Sequence, residues 1–292
     1  MTVTLITGTS KGIGLTMAVE LAKAGHDVYA SMRDTGRADD LLSAARDAGV
    51  EIHVVQMDVL EEESVEAAIS AVTGEAGRID VLVNNAGIIG QTGPTEYLSV
   101  DAYREVMETN LYGPLRCMHV VLPSMRERNH GAIINISSIG GVMNGAGVVG
   151  PYCASKYALE GVTEGLAAQL ADTPIRIALI EPGFIYTPIF DDLPLPPAPE
   201  PGSPYETIRR RAGATFRANI ANASPPELVA ETVLDILNGD AWRLRNPVGH
   251  DAERIFDRVS VHDRELPLIH QRENDAEWEQ GYSDFLGHEI RL

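Results

Sequence analysis

Val3-Thr4-Leu5-Ile6-Thr7-Gly8-Thr9-Ser10-Lys11-Gly12-Ile13-Gly14 is the stretch that decides the fold. Its first five residues form a short apolar run rich in β-branched side chains, which reads as a strand buried on both faces. Three glycines follow with the spacing Gly-x-x-x-Gly-x-Gly, and a helix-patterned segment begins at once. Gly8 allows a tight reversal, Gly12 lets the backbone approach an anion, and Gly14 lets the helix close onto the strand. The start of that helix would present free amides and the positive end of its macrodipole, which favours phosphate groups. Strand, glycine turn and helix together predict a nucleotide site.

Outward from this turn, short apolar runs alternate with helical patterns. Strands are expected at Val3 to Thr7, Val28 to Met32, Ile52 to Met57, Val81 to Asn84, Ala132 to Ile136, Ile175 to Ile180 and Trp242 to Val248. Between them, Val65, Ala68, Ile69 and Val72 make one helical stripe, and Val162, Leu166 and Leu170 another. Such alternation predicts a parallel sheet covered by helices on both faces, in a single domain over residues 1–292. Six of the eleven residues from Pro194 to Pro204 are proline, which excludes a helix or inner strand there. Because this segment follows the sixth strand, residues 189–224 are expected to form a substrate lid rather than a linker. The tail, residues 251–292, carries eleven acidic residues against five arginines, and is expected at the surface or at a subunit contact.

Composition narrows the function. The net charge of −19 repels nucleic acid and anionic membranes, so neither is an expected partner. The two cysteines and eight histidines have no metal-binding or redox spacing, and Cys153 reads as a small buried residue. No apolar stretch is long enough to span a bilayer. The first strand starts at Val3 and leaves no room for a signal peptide, so a cytoplasmic location is expected.

Tyr152 and Lys156 stand four residues apart, so on a helix their side chains share one face. A lysine there can hold its ammonium near the phenol and favour its ionisation. Upstream lie Ser137-Ser138 and Asn84-Asn85-Ala86-Gly87. With Asp58-Val59, Asn110 and Pro182-Gly183-x-x-x-Thr187, these motifs resemble, in order, those of the short-chain dehydrogenase/reductases. The resemblance runs from Val3 to about Pro188, in the compact branch where one doubly wound, Rossmann-type domain with a mostly parallel seven-stranded sheet holds cofactor and catalytic residues.

The resemblance implies carbonyl reduction or the reverse alcohol oxidation, with a nicotinamide cofactor bringing the hydride. It makes Tyr152 the general acid or base, and Lys156 the group that lowers the tyrosine pKa and holds the nicotinamide ribose. Ser138 would steady the substrate oxygen, and Asn110 would anchor a water linking Lys156 to solvent. It also implies that the cofactor lies against Gly8, Ser10, Lys11, Gly12, Ile13, Gly14, Asp58, Val59, Asn85, Ala86, Gly87, Pro182, Gly183, Ile185 and Thr187. Ser138 and Tyr152 are fourteen residues apart where the family commonly has thirteen, and the glycine-rich loop between them can absorb one more.

The end of the second strand bears on NAD(H) against NADP(H). Val28-Tyr29-Ala30-Ser31-Met32-Arg33-Asp34 ends with no acid and has Arg33 just beyond, with Lys11 able to reach the same phosphate. Asp34 argues the other way, as a ribose ligand or as a partner of Arg33. NADP(H) is the expectation and NAD(H) the alternative. The strand-two stretch is similar to that of steroid and retinol dehydrogenases of this family. With Phe190, Leu193, Leu195 and Tyr205 it suggests a small, apolar ketone or aldehyde. Family members are usually homodimers or homotetramers, and the helices near Leu111 to Arg126 and Tyr152 to Leu170 are the expected contacts. Outside enzymes, the rival reading is a nucleotide-binding sensor on the same fold.

Overall fold

The computed structural model describes residues 1–144, 147–189, 202–239, 242–258 and 274–292. Seven parallel strands form one sheet in the order β3-β2-β1-β4-β5-β6-β7. They are β1 (Val3–Thr7), β2 (Asp27–Met32), β3 (His53–Gln56), β4 (Val81–Asn84), β5 (Gly131–Ile136), β6 (Ile175–Pro182) and β7 (Arg245–Val248). All seven expected strands are present. The largest difference is at the last, where Trp242 lies outside β7 and its indole N–H donates to the Ile177 carbonyl at 2.7 Å. The sheet ends at β7, and this edge position tolerates Pro247, which cannot donate to a further neighbour.

The strands are apolar on both sides because both sides are covered. Ile6, Val83, Ile134 and Ile180 pack into a core with helices α1 (Gly12–Lys23), α2 (Asp39–Ala48) and, further along the chain, Glu227–Asn238. Their neighbours Leu5, Leu82, Ile133 and Ile177 face α3 (Glu62–Ala76), α5 (Gly113–Arg128) and α6 (Gly150–Gln169). The period-two alternation of a strand thus feeds two cores at once. Between α3 and α5 lie α4 (Val100–Met107) and a π-turn, Glu108–Tyr112.

The strand order reverses between β1 and β4, opening a crevice beyond their carboxyl ends. There the glycine turn after β1 meets the Asn84–Gly87 stretch after β4. Asn85 Nδ2 donates to the Thr7 and Gly8 carbonyls at 2.8 and 2.9 Å, and the Asn85 and Ala86 amides both donate to Thr7 Oγ1 at 3.0 Å. Asn84 braces the sheet through Asn135, which donates onward to Thr163 of α6.

Beyond β6, the helix Glu206–Ala221 lies within the span expected to form a lid. Residues 190–201, with most of the proline run and Phe190, Leu193 and Leu195, lie outside the described residues. The acidic tail is more than surface. In the helix Asp275–Leu286, Trp278, Tyr282, Phe285 and Leu286 are buried with Ile255, Ala214 and Val142 in a core of their own. The charge count concealed a spacing of four, three and one apolar residues, which is one helical face.

Candidate active site

The crevice is a cavity of about 580 Å³ lined by residues from the loops at the carboxyl ends of β1 to β6. Each residue expected to take part in catalysis or cofactor binding lines it except Asn110, and Tyr205, expected near the substrate, lies outside it with its hydroxyl donating to Glu96 at 2.5 Å. Arg37, Phe184, Phe216, Tyr282 and Leu286 also line it and were not foreseen, since they come from loops and helices outside the motifs.

At one end, the glycine turn is shaped for an anion. Gly8 and Gly12 have φ of +71° and +61°, which a side chain would strain. A Cβ on Gly8 would lie 2.7 Å from Ala86 Cα. One on Gly14 would lie 2.3 Å from the Gly8 carbonyl oxygen and 2.4 Å from Asn85 Nδ2, so the close approach is to the turn itself. Helix α1 starts with no capping side chain and no acid in its first turn. Its first amides are therefore left to a ligand, which suits a pyrophosphate.

Beside this turn, Asp34 accepts from the Gly36 amide at 3.0 Å and caps its own short turn. Arg33 and Arg37 are exposed at the cavity rim. Asp58 accepts from the Leu60 amide at 3.1 Å, and its own amide is held by Ser64. At the far side, Thr187 closes over the turn, 3.4 Å from where a Gly12 Cβ would stand. Gly183 is held from behind by the tail: a Cβ there would lie 2.0 Å from Asp251 Oδ1, and Asp251 Oδ2 accepts from the Phe184 amide at 2.9 Å.

The other end holds the titratable pair. Tyr152 and Lys156 leave the same face of α6, with Nζ 5.7 Å from the phenol ring centroid. Burial pushes the Tyr152 phenol up to about 12, against a downward pull from the Ser138 hydroxyl. Burial likewise pushes Lys156 down to about 8, opposed by the charge of Glu160. The net direction at Tyr152 is thus set by burial. Nζ donates to the Ile136 carbonyl at 2.8 Å, so the ammonium is tied to β5 while desolvation governs the phenol. A phenol held at about 12 is protonated at neutral pH, the form that donates a proton.

The two serines separate cleanly. Ser138 Oγ accepts from the Gly140 amide at 3.0 Å and faces Tyr152, whereas the Ser137 hydroxyl faces Glu160. Asn110 sits one layer behind the wall, in the π-turn. It accepts from the Ile88 amide and donates to the Ile88 carbonyl, both at 2.9 Å, and donates to Ser155 Oγ at 3.0 Å. Its side chain thus ties the β4 loop to α6 and keeps a single lone pair for a water. Cys117 and Cys153 are buried thiols pushed up to about 12, inert at neutral pH.

Behind Lys156 lies a group of charges that the motifs do not mark. Arg245 of β7 reaches Glu160 of α6, Glu181 of β6 at 3.2 Å and Glu164 at 2.5 Å. Burial and the neighbouring Glu160 push Glu181 up to about 8 from an ordinary 4.5. The folded protein then binds more protons than the unfolded chain between those values, so this group's contribution to stability falls as pH rises across them. Thermal melts should show Glu181→Gln gaining on the wild type between about pH 5 and pH 8. A difference that does not vary with pH would show an ordinary carboxyl.

Four findings place the chain among known proteins. Residues 2–196 match the family model described as short chain dehydrogenase. The chain is 46% identical over 189 residues to retinol dehydrogenase 8 of Homo sapiens, covering 63% of this chain and 58% of that protein. It thus spans less than two thirds of that relative's length. It is 36% identical over 291 residues to 17-beta-hydroxysteroid dehydrogenase type 1 of Homo sapiens, covering 94% of this chain and 81% of that one. Among solved structures, a short-chain dehydrogenase from Streptomyces avermitilis superposes with a TM-score of 0.75 at 30% identity, over 94% of this chain and 98% of the other.

Proposed function

The chain belongs to the short-chain dehydrogenase family, and from that premise we propose that it is an NADP(H)-dependent reductase of an apolar ketone or aldehyde, or the matching alcohol dehydrogenase. One observation carries the reading: an anion-shaped helix start and a protonated phenol share one cavity. When bound, the nicotinamide supplies the hydride. Tyr152 donates the proton to the carbonyl oxygen, and Ser138 hydrogen-bonds that oxygen as charge develops on it. Lys156, buried beside the phenol, offers its ammonium to the ribose hydroxyls and to the phenolate left after proton transfer.

Cofactor choice rests on Arg33 and Lys11 at the rim and on Asp34, whose carboxylate is engaged by its own turn. That engagement supports NADP(H) over NAD(H), because it weakens Asp34 as a ribose ligand. Losing a guanidinium–phosphate contact costs about 1.5–3 kcal/mol, roughly tenfold to a hundredfold in affinity. Arg33→Ala should therefore weaken NADPH by that factor in a fluorescence titration and leave NADH nearly unchanged; equal losses would sink the assignment.

The substrate end is lined by Val149, Phe184, Phe216, Ile255 and Leu286, which supports a bulky apolar carbonyl compound. The names of the two human relatives, a retinol and a hydroxysteroid dehydrogenase, support the same class. Assembly as a homodimer or homotetramer through α5 and α6 is part of this reading. Tyr112, at the start of α5, and Tyr157, on α6, are exposed large side chains there. Reduction of cyclic ketones with NADPH, read by mass spectrometry as a gain of two hydrogens, tests the activity. Nucleotide binding with no product from any ketone would favour the sensor.

A further inference from the structure

The buried carboxylates behind α6 are used by no step above, yet they adjoin the catalytic lysine. We propose that Glu160 is a positioning residue for Lys156: its carboxylate, anchored by Arg245 one helical turn along α6, keeps the buried ammonium charged.

Four observations support this. Glu160 follows Lys156 by four residues, so the two share a helix face, and they are 4% and 5% exposed. The Glu160 side chain is wedged in place: a Cβ on Gly141 would lie 2.9 Å from its Cγ and 2.7 Å from Ser137 Oγ. Arg245 bridges it to Glu181, whose second oxygen accepts from the Asn246 amide at 2.6 Å. Finally, burial alone drives Lys156 toward its neutral form, and the Glu160 charge is the opposing influence.

The charged groups around Glu160 assign the roles. Lys156 and Glu164 lie on its own helix, Glu181 comes from β6 and Arg245 from β7, while β5 adds only the neutral Ser137. Glu164 is exposed, so Arg245 shares its charge between two buried carboxylates, and a coupled pair of this kind takes up its protons in separate steps. Glu181, fully buried and pushed up to about 8, is the one that keeps a proton near neutral pH. Glu160 is also raised by burial, but its pairing with Arg245 opposes that rise, and it carries the negative charge one helical turn from Lys156.

The chain contains only three lysines, Lys11, Lys23 and Lys156, and the first two are exposed. Carbon-13 labelling of lysine Cε therefore gives three resolvable titrations by NMR, with Lys156→Met assigning the buried one. Glu160→Gln should lower the Lys156 midpoint by about one pH unit, a tenfold change in proton affinity. Glu160→Asp, which keeps the charge, should hold the midpoint close to wild type. Glu181→Gln should move it less, because Glu160 and not Glu181 is the carboxylate whose charge raises Lys156.

A folded Glu160→Gln protein with the wild-type midpoint overturns the proposal, as does an equal fall in Glu160→Asp. Should Glu160→Gln fail to fold, the wild-type titration decides. The Lys156 resonance must then carry a second, acidic step as Glu160 gains its proton, and a single step contradicts the proposal. The inference deepens the catalytic reading and rests on it only for kinetics, where the alkaline limb of kcat/KM should move down with the midpoint. The NMR result needs no substrate, so a failure of the reductase reading would show separately, as absent turnover.

Discussion

Tyr152→Phe removes one oxygen atom and is expected to lower turnover by about 10²–10⁴-fold, the contribution typical of a positioned general acid. The ring that Lys156 overlies stays, and the nucleotide end of the cavity is untouched. NADPH affinity should therefore remain within a few-fold of wild type. Two properties of the site make the loss large. The phenol lines the cavity beside Ser138, within reach of a carbonyl oxygen held there. Its neighbour Ser138 also carries a hydroxyl, but a serine is a far weaker acid than a phenol. Turnover that survives the substitution would place the proton donor elsewhere.

The second large effect is on nucleotide binding. Gly14→Ala adds one carbon, which would lie 2.3 Å from the Gly8 carbonyl oxygen and 2.4 Å from Asn85 Nδ2. The Gly8 carbonyl is backbone, and it already accepts from Asn85 at 2.9 Å, so neither neighbour can yield without opening the turn. Overpacking of this kind costs about 1–3 kcal/mol of stability. The start of α1 must move away from β1, and the amides meant for a phosphate move with it. The variant should fold with a lowered Tm and bind NADPH and NADH more than about tenfold more weakly, about 1.4 kcal/mol or more. Unchanged affinity for both would mean that the nucleotide does not lie on this turn.

How far these features could be read beforehand depends on the distance over which each is encoded. Strands β1 and β4 matched their expected limits, since a short apolar run bounded by glycine or asparagine fixes both ends locally. The nucleotide turn was legible for the same reason: three glycines and a helix start lie within eight residues. Tyr152 and Lys156 were placed by helix periodicity alone. Ser137 and Ser138 were distinguishable only by resemblance, and the structure separates them because one faces Glu160 and the other the phenol.

The features that escaped were long-range. Arg245 meets Glu160 across 85 residues of sequence, and no local pattern announces such a pair. The helix Asp275–Leu286 was hidden for a different reason, because its acidic surface outweighed the buried Trp278, Tyr282 and Phe285 in any composition count. The net direction of the Tyr152 shift was not legible, because a charge four residues away is visible in sequence whereas burial is not.

The central claim is that one cavity joins an NADP(H) site to a proton-donating tyrosine. Its most direct test is the loss of reduced-nicotinamide absorbance, with NADPH and NADH in parallel, against ketones and aldehydes of graded size. The account predicts turnover with NADPH on the bulkier apolar carbonyls, slower turnover with NADH, and neither with Tyr152→Phe. Tight binding of both nucleotides with no turnover on any compound would contradict it.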